Sequence, residues 1–316
     1  MSASLRTSPA AATRARPPVA THPLTIGVLG AGRVGAVLGA ALVRAGHRVV
    51  AASGRSPQST SRIATLLPDA SHVGAVEVAR AATDLLVISV PDDALGPTVA
   101  HLAEEGAFVP GQVVAHTSGA HGIGILHPAV ARGTRPLALH PAMTFTGRRT
   151  DIERLAGISY GVTAPEELRP FAQALVRDLG GTAEWVPDAD RALYHAALAH
   201  GANHLVTLVN ESLDRLRDAG VAYPERVLGP LLRAALENAL TLGDAALTGP
   251  VSRGDAGTVA RHLDTLAVVA PESVPSYLAL ARRTADRAIA AGRLTPAAAE
   301  PLLDVLGRAA ALDGRA

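Results

Sequence analysis

The chain has 316 residues, room for one large domain or two ordinary ones, with 48% hydrophobic residues, 3% aromatic residues and a net charge of +1. The near-neutral charge offers no basic face to nucleic acid or to an anionic membrane surface, and no apolar run reaches the length of a membrane span. All 29 basic residues are arginine and there is no cysteine, which excludes disulfides, thiolate nucleophiles, cysteine-held metals, Schiff bases and lysine acid–base catalysis.

Residues 1–22 are rich in Ser, Ala, Pro and Arg, contain no acid and lack the apolar middle of a secretory signal. They read as a disordered tail ahead of a soluble, cytoplasmic protein, with a transit peptide as the alternative. From Leu24 the texture changes. "LTIGVL" reads as a strand, "GAGRVG" (Gly30–Gly35) as a tight turn, "AVLGAALVRAGH" as a helix with small residues on one face, and "RVVAAS" as a second strand. Strand, glycine-rich turn, helix and strand in about thirty residues is the context in which such a turn holds a dinucleotide. Gly30 allows the turn, Gly32 lets the backbone approach a pyrophosphate at the helix N-terminus, Arg33 and Val34 flank that approach, and Gly35 lets helix pack on strand. An NAD site places an acid about 20 residues on. Here "VVAASGRSPQS" offers Ser53, Arg55, Ser56 and Ser59 instead, which suits the 2′-phosphate of NADP(H). A solvated surface arginine is the alternative for Arg55.

Further strands are expected at Asp84–Val90, Gln112–Ser118 and Arg135–His140, continuous apolar runs that suit a parallel sheet covered on both faces. "VPDDAL" sets Val90, Pro91 and Asp92 at a strand's carboxyl end, beside the nicotinamide ribose, with a plain helix cap as the other reading of the acids. "HTSGA" puts Ser118 and Gly119 at a second strand tip, and "LHPAMTF" puts His140 at a third. These are substrate contacts in one reading and turn chemistry in the other. A last strand, helix and strand run through "ISYGVT", "ELRPFAQALVRDLG" and "TAEWV". The expected division is a cofactor-binding domain over 23–150 and a mainly helical substrate and dimerisation domain over 151–316.

After Pro187 the pattern is helical. On a wheel of 100° per residue, His195 and Asn203 lie two turns apart on adjoining faces and can flank one cleft, or His195 can be a packed core histidine. His200 and His204 have metal-ligand spacing, but no acid or third ligand accompanies them, so no metal is expected. One helix should end at Gly220 and a second should cover about Tyr223–Leu242. In "LTGPVSRGD" the Gly-Pro reads as a helix stop after Leu247, with Asp255 and Thr258 starting the next helix. Between them the loop presents Thr248, Ser252 and Arg253, taken here to face a substrate cleft. A capped turn with Arg253 paired to Asp255 is the alternative.

The motifs "GAGRVG", "VPDDAL", "HTSGA", "LHPAMTF", "YHAALAHGANHLV" and "ALTGPVSRGD...VARHL", in this order between Leu24 and Ala310, resemble the bacterial family of Rossmann-like proteins with a C-terminal domain of unknown function 2520. More distantly the chain is similar to 6-phosphogluconate and β-hydroxyacid dehydrogenases, ketopantoate reductases and deazaflavin-linked NADP reductases. The resemblance implies an α/β Rossmann domain, then an all-helical domain of the 6-phosphogluconate dehydrogenase C-terminal type that often dimerises. It also implies NADP-dependent oxidoreduction. Two of these relatives use a lysine with an asparagine one turn on. This chain has no lysine, so Asn203 keeps the orienting role and His195 stands in as proton donor.

The expected function is therefore NADPH-dependent reduction of a small carbonyl compound, a 2-keto carboxylate in the manner of ketopantoate reductase. His195 or His140 would protonate the developing alkoxide, Asn203 and Ser118 would hold it, and Arg253 would clamp the carboxylate. The alternative is an NADP(H)-binding sensor without turnover, which the missing lysine favours. The partners expected are a small molecule and a second copy of the chain through the C-terminal helices.

Overall fold

The computed structural model describes residues 22–313, so the expected tail, apart from His22, lies outside the described residues. The chain separates into two compact units, one up to His200 and one from Gly201.

The first unit is built on eight strands: β1 (Thr25–Leu29), β2 (Arg48–Ser53), β3 (Ser71–His72), β4 (Leu85–Ile88), β5 (Val113–His116), β6 (Arg135–Pro141), β7 (Ser159–Thr163) and β8 (Thr182–Trp185). They form one sheet in the order β3-β2-β1-β4-β5-β6-β7-β8. Every neighbouring pair is parallel except β6 with β7. The helices α1 (Arg33–Ala45), α2 (Pro57–Leu66), α3 (Ala75–Ala81), α4 (Asp92–Glu104), α5 (His127–Val130), α6 (Thr150–Arg154), α7 (Arg169–Asp178) and α8 (Arg191–Leu198) connect and follow the strands.

Alternation along each strand explains why the runs are apolar throughout. Leu85 and Val87 of β4, and Val113 and Ala115 of β5, join one core with Val37, Leu38 and Leu42 of α1 and Leu175 of α7. Their neighbours Leu86, Ile88 and Val114 join a second core on the opposite face with Val78 of α3 and Leu95, Val99 and Leu102 of α4. The sheet is thus an α/β Rossmann sheet, as expected from the apolar runs. The strands arise at or within the expected segments. Two features carry no sequence signal: β3, two exposed residues, and the reversed direction of β7.

Because β1 lies between β2 and β4, the strand order reverses beside it. The turns that leave β1 and β4 therefore open a crevice at the carboxyl end of the sheet, where open α/β folds bind ligands.

A π turn over Ala199–Asn203 follows α8. The second unit is helical, with α9 (His204–Asp218), α10 (Pro224–Leu242), α11 (Ala256–Val269), α12 (Val274–Ala290) and α13 (Pro296–Asp313). Its core joins Val259 and Leu263 of α11, Val274, Leu278, Ala281 and Ala285 of α12, and Leu302 and Leu306 of α13. Gly220 takes a φ of 81° just past α9. The chain leaves α10 at Leu242, where Gly243 has a φ of 57°, and a 3-10 turn over Gly243–Ala246 occupies the residues before the Gly-Pro. The helical stretch thus stops before Leu247 instead of after it. Asp255 caps α11 by accepting a hydrogen bond from Thr258 N at 3.0 Å, as its sequence position suggests. Among the described residues no helix is long and apolar enough to cross a membrane.

Candidate functional site

The glycine-rich turn shows which of its glycines the fold itself requires. Gly30 has a φ of 87°, and a Cβ there would lie 2.5 Å from Ser89 O. A Cβ on Gly35 would lie 2.4 Å from Gly30 O. Gly32 differs: the nearest atom to a Cβ would be 3.9 Å away, so nothing among the described residues demands a glycine there. The space over Gly32 stands at the N-terminus of α1, which has no side-chain cap. Uncapped amides with open space before them suit an anion such as a pyrophosphate. Ser53 anchors this turn to β2, accepting from Gly30 N at its Oγ (3.3 Å) and from Ala31 N at its carbonyl (2.7 Å). Arg55 is exposed just after β2, with no acid between Ser53 and Ser59. Ser56 and Ser59 form a reciprocal capping box on α2, so both hydroxyls serve that helix. The residues present therefore fit a dinucleotide.

A cleft of about 430 Å³ continues from this turn. Gly32, Arg33 and Val34 line it from β1 and α1, Ser89 to Asp92 from the end of β4, Thr117 to Gly119 from the end of β5, His140 from β6, and His195 from α8. Of the residues singled out in the sequence, ten meet in this one cleft. Gly30, Gly35 and Ser53 support the turn from behind, and Ser56, exposed, caps α2 outside the cleft's lining. Asp92 begins α4 without making a side-chain cap, so capping does not account for it.

His140 and His195 face each other at the cleft's inner end, with ring centroids 6.1 Å apart and planes nearly perpendicular. Gly119 makes room for both: a Cβ there would lie 2.6 Å from His195 Cδ2 and 3.1 Å from His140 Nε2. His140 Nδ1 is 2.9 Å from the Tyr194 hydroxyl. Burial, the nearby Arg191 charge and His195 push the His140 pKa down to about 4, so its imidazole is neutral at physiological pH. Burial raises the pKa of Tyr194 above the ordinary range, against the opposing charge of Arg191. A neutral His140 and a protonated Tyr194 form a hydrogen bond without charge separation.

Arg191 holds this arrangement together. It is 1% exposed and, among the described residues, enters no ion pair within 4 Å, although the charge of Asp188 acts on it. Its Nη2 donates to Ser118 O (2.6 Å), its Nη1 to Gly161 O (3.0 Å) and its Nε to His121 O (3.0 Å). It thereby ties α8, which carries Tyr194 and His195, to the loop after β5 and to β7. Ser118 Oγ accepts from His121 N at 3.2 Å, closing the same loop. His116, at the end of β5, is fully buried. Its Nε2 lies 3.0 Å from Gly122 O, its Nδ1 has no hydrogen-bond partner among the described residues, and burial pushes its pKa down to about 4.

Arg191 and Thr117 carry no sequence expectation, and Tyr194, which opens the "YHAALAHGANHLV" motif, was given no role there. One signal was available. Arg191, Tyr194 and His195 stand at i, i+3 and i+4 and share a helix face. The remaining expected residues belong to the second unit. Asn203 ends the π turn, which breaks the even 100° advance assumed between it and His195. Thr248 is exposed and Arg253 ends a 3-10 turn over Val251–Arg253. Asp255 is held below the usual carboxylate range by its bonds from Thr258, with Arg261 and Arg253 adding charge. Among the described residues no group of three or more His, Asp or Glu is placed to hold a metal ion.

A family model described as a Rossmann-like domain matches residues 8–141, and one described as a domain of unknown function (DUF2520) matches residues 158–284. No curated protein matches the chain in sequence. Among solved structures, a Bacteroides fragilis protein provisionally named an NADP oxidoreductase is 22% identical, with a TM-score of 0.70 over 84% of this chain and 98% of its own. A reductive aminase from Aspergillus terreus, in complex with NADPH and ethyl-5-oxohexanoate, is 20% identical with a TM-score of 0.61, over 86% and 95%. The pyrroline carboxylate reductase of Plasmodium falciparum, with NADP bound, is 12% identical with a TM-score of 0.54, over 84% and 98%. At these identities the likeness is one of fold. The order of the two domain matches agrees with the sheet and helices described above, and the chain is a Rossmann-like protein carrying the domain of unknown function 2520.

Proposed function

We propose that the chain is an NADP(H)-dependent reductase of a small compound with a C=O or C=N bond, and that His195 is its proton donor. The observation that carries this reading is the single cleft in which the open turn at Gly32 and the facing rings of His140 and His195 meet. The bound cofactor would supply the hydride. Gly32 and the free amides of α1 would hold its pyrophosphate, and Arg55 its 2′-phosphate in place of the acid that an NAD site carries. The fold neighbours named above, with NADP or NADPH bound, agree with that choice.

The two imidazoles divide the work. His140, neutral down to about pH 4, is a poor acid at neutral pH but a good hydrogen-bond donor. When Tyr194 donates to its Nδ1, the proton sits on Nε2, on the side of Gly119 and the cleft. From there His140, with Ser118 and Thr117, would orient the oxygen or nitrogen of the substrate, while His195 delivers the proton. The reading assigns the cofactor to residues 23–150 and the substrate and self-association to residues 151–316. Asn203, Thr248 and Arg253 retain substrate roles by their chemistry: an amide, a hydroxyl and a guanidinium suited to a carboxylate, such as that of a 2-keto acid. Leu205, Val206, Val227, Leu231, Leu236 and Leu240 are exposed on α9 and α10, which supports a homodimer.

The test is NADPH oxidation by the purified protein against a panel of 2-keto acids and cyclic imines. On the substrate that turns over, His195→Gln should lower kcat by about 10²- to 10⁴-fold and leave NADPH binding intact. An unchanged kcat in that variant refutes the assignment. NADPH binding with no turnover on the whole panel favours the sensor reading instead.

A further inference from the structure

The second unit contains a cavity of its own, about 400 Å³, open to solvent and lined by α9, α11, α12 and the "TGPV" turn at residues 248–251. This is within the range of small-ligand pockets, about 300–1,000 Å³. Its apolar walls come from Leu208, Val251, Leu266 and Leu280. Glu211 of α9 also lines it and enters no ion pair among the described residues. One oxygen of Glu211 accepts from Ser276 Oγ at 3.2 Å, and the other has no hydrogen bond among the described residues.

Arg215, one turn further along α9, would be the expected partner of Glu211. It is engaged elsewhere: its Nε pairs with Asp218 at 2.8 Å and its Nη1 with Glu272 at 2.9 Å and with Ser273 Oγ. These carboxylates raise the pKa of Arg215, so its charge is fixed and doubly paired. Among the residues that line the cavity Glu211 is the one carboxylate and Arg215 the one guanidinium, and the pairs with Asp218 and Glu272 commit that guanidinium away from Glu211. The hydroxyls of Ser276 and Tyr277 add acceptor oxygens, Tyr277 already joined to His262 Nδ1 at 2.9 Å. An unpaired carboxylate, acceptor hydroxyls and apolar walls are together complementary to an ammonium group on a compact hydrocarbon body.

We infer that this cavity is a binding site for a small hydrophobic amine, whose ammonium pairs with Glu211 and whose body packs on Leu208, Leu266 and Leu280. The inference goes beyond the proposed reduction and depends on neither the cofactor nor turnover.

The experiment is titration calorimetry of the full chain, without NADPH, using cyclohexylamine, cyclohexanol and cyclohexanecarboxylate as probes of equal shape and different charge. Cyclohexylamine should bind at least about tenfold more tightly than cyclohexanol, the range of one charge-assisted hydrogen bond, and the carboxylate should not bind. Glu211→Gln should erase the preference for the amine, and Leu280→Trp, which fills the cavity, should abolish binding of every probe. Both variants should keep the wild-type helical circular dichroism. The inference is overturned if cyclohexanol equals the amine, if Glu211→Gln keeps the preference, or if no probe binds. It also falls if sedimentation shows a dimer that Leu280→Trp dissociates while no amine binds, since the cavity is then a contact between copies.

Discussion

Acid should unfold the first unit in a way that the two neutral imidazoles predict. His116 is fully buried, with a pKa near 4 in the fold against 6.5 in an unfolded chain. Between these values the unfolded state binds a proton that the folded state refuses. Stability is therefore complete above pH 6.5, falls as the pH drops towards 4, and levels off below that. With a slope that reaches about 1.4 kcal/mol per pH unit only midway between the two values, His116 costs about 2 kcal/mol between pH 6.5 and 4.5. His140 is shifted to the same value and adds a similar amount, so the pair accounts for about 4 kcal/mol, a sizeable part of a domain's usual 5–15 kcal/mol. Asp151 does not confuse this window, because its pKa is lowered from 3.8 and its contribution is lost only at more acid pH. The single tryptophan, Trp185, lies on β8 in the same sheet, so its fluorescence reports unfolding of this unit in urea. His116→Gln should halve the fall in stability between pH 6.5 and 4.5, and His116→Gln with His140→Gln should nearly abolish it. A single variant that keeps the full wild-type slope, or a wild-type protein that gains stability on acidification, refutes the reasoning.

Two glycine variants should separate folding from binding. Gly35→Ala should lower stability by about 1–3 kcal/mol in thermal melts, because its Cβ meets the Gly30 carbonyl. Gly32→Ala should stay within about 1 kcal/mol of wild type yet weaken NADPH at least about tenfold, and equal NADPH affinity in both proteins counts against the pyrophosphate site. Tyr194→Phe should lower kcat about tenfold while sparing NADPH affinity, and nitrogen NMR should show His140 redistributing between its two tautomers; an unaltered tautomer rejects the proposed hydrogen bond. Arg55→Ser should weaken NADPH by about 10- to 100-fold and leave NADH unchanged by fluorescence titration, and an equal loss for both cofactors rejects a 2′-phosphate contact.

The sheet was legible because strands buried on both faces must be apolar throughout, and the runs at Asp84–Val90 and Gln112–Ser118 stand out from the helices around them. The glycine turn was legible because steric demand limits which residues can stand at positions 30 and 35. The direction of β7 was not: its exposed Ser159 followed by four buried residues is equally the pattern of a parallel strand covered on both faces, and only its pairing with β6 shows the reversal. His140, at a strand tip, could be found, but its link to Tyr194 spans 54 residues and leaves no local trace. Arg191 was invisible for a different reason. In a chain whose 29 basic residues are all arginine, composition cannot mark the one whose donors are spent on three buried carbonyls. The π turn escaped because a helical wheel assumes a constant advance, and a local change of pitch shifts every later residue against it.

The reversal of β7 has a consequence for redesign. Antiparallel pairing sets Gly161 directly opposite His140, and a Cβ at 161 would lie 2.5 Å from the Tyr194 hydroxyl. A slip of one residue would place Tyr160 or Val162 across from the imidazole and turn every side chain of β7 to the other face. The vacancy that admits the tyrosine is therefore a property of strand pairing at the far side of the sheet. Libraries that aim to alter substrate preference can randomise residues 117 and 118, which line the cleft, while Gly119, where a Cβ would meet both imidazoles, and position 161 behave as fixed scaffold: an engineer who changes residue 161 alters the footing of the histidine, not the shape presented to the substrate.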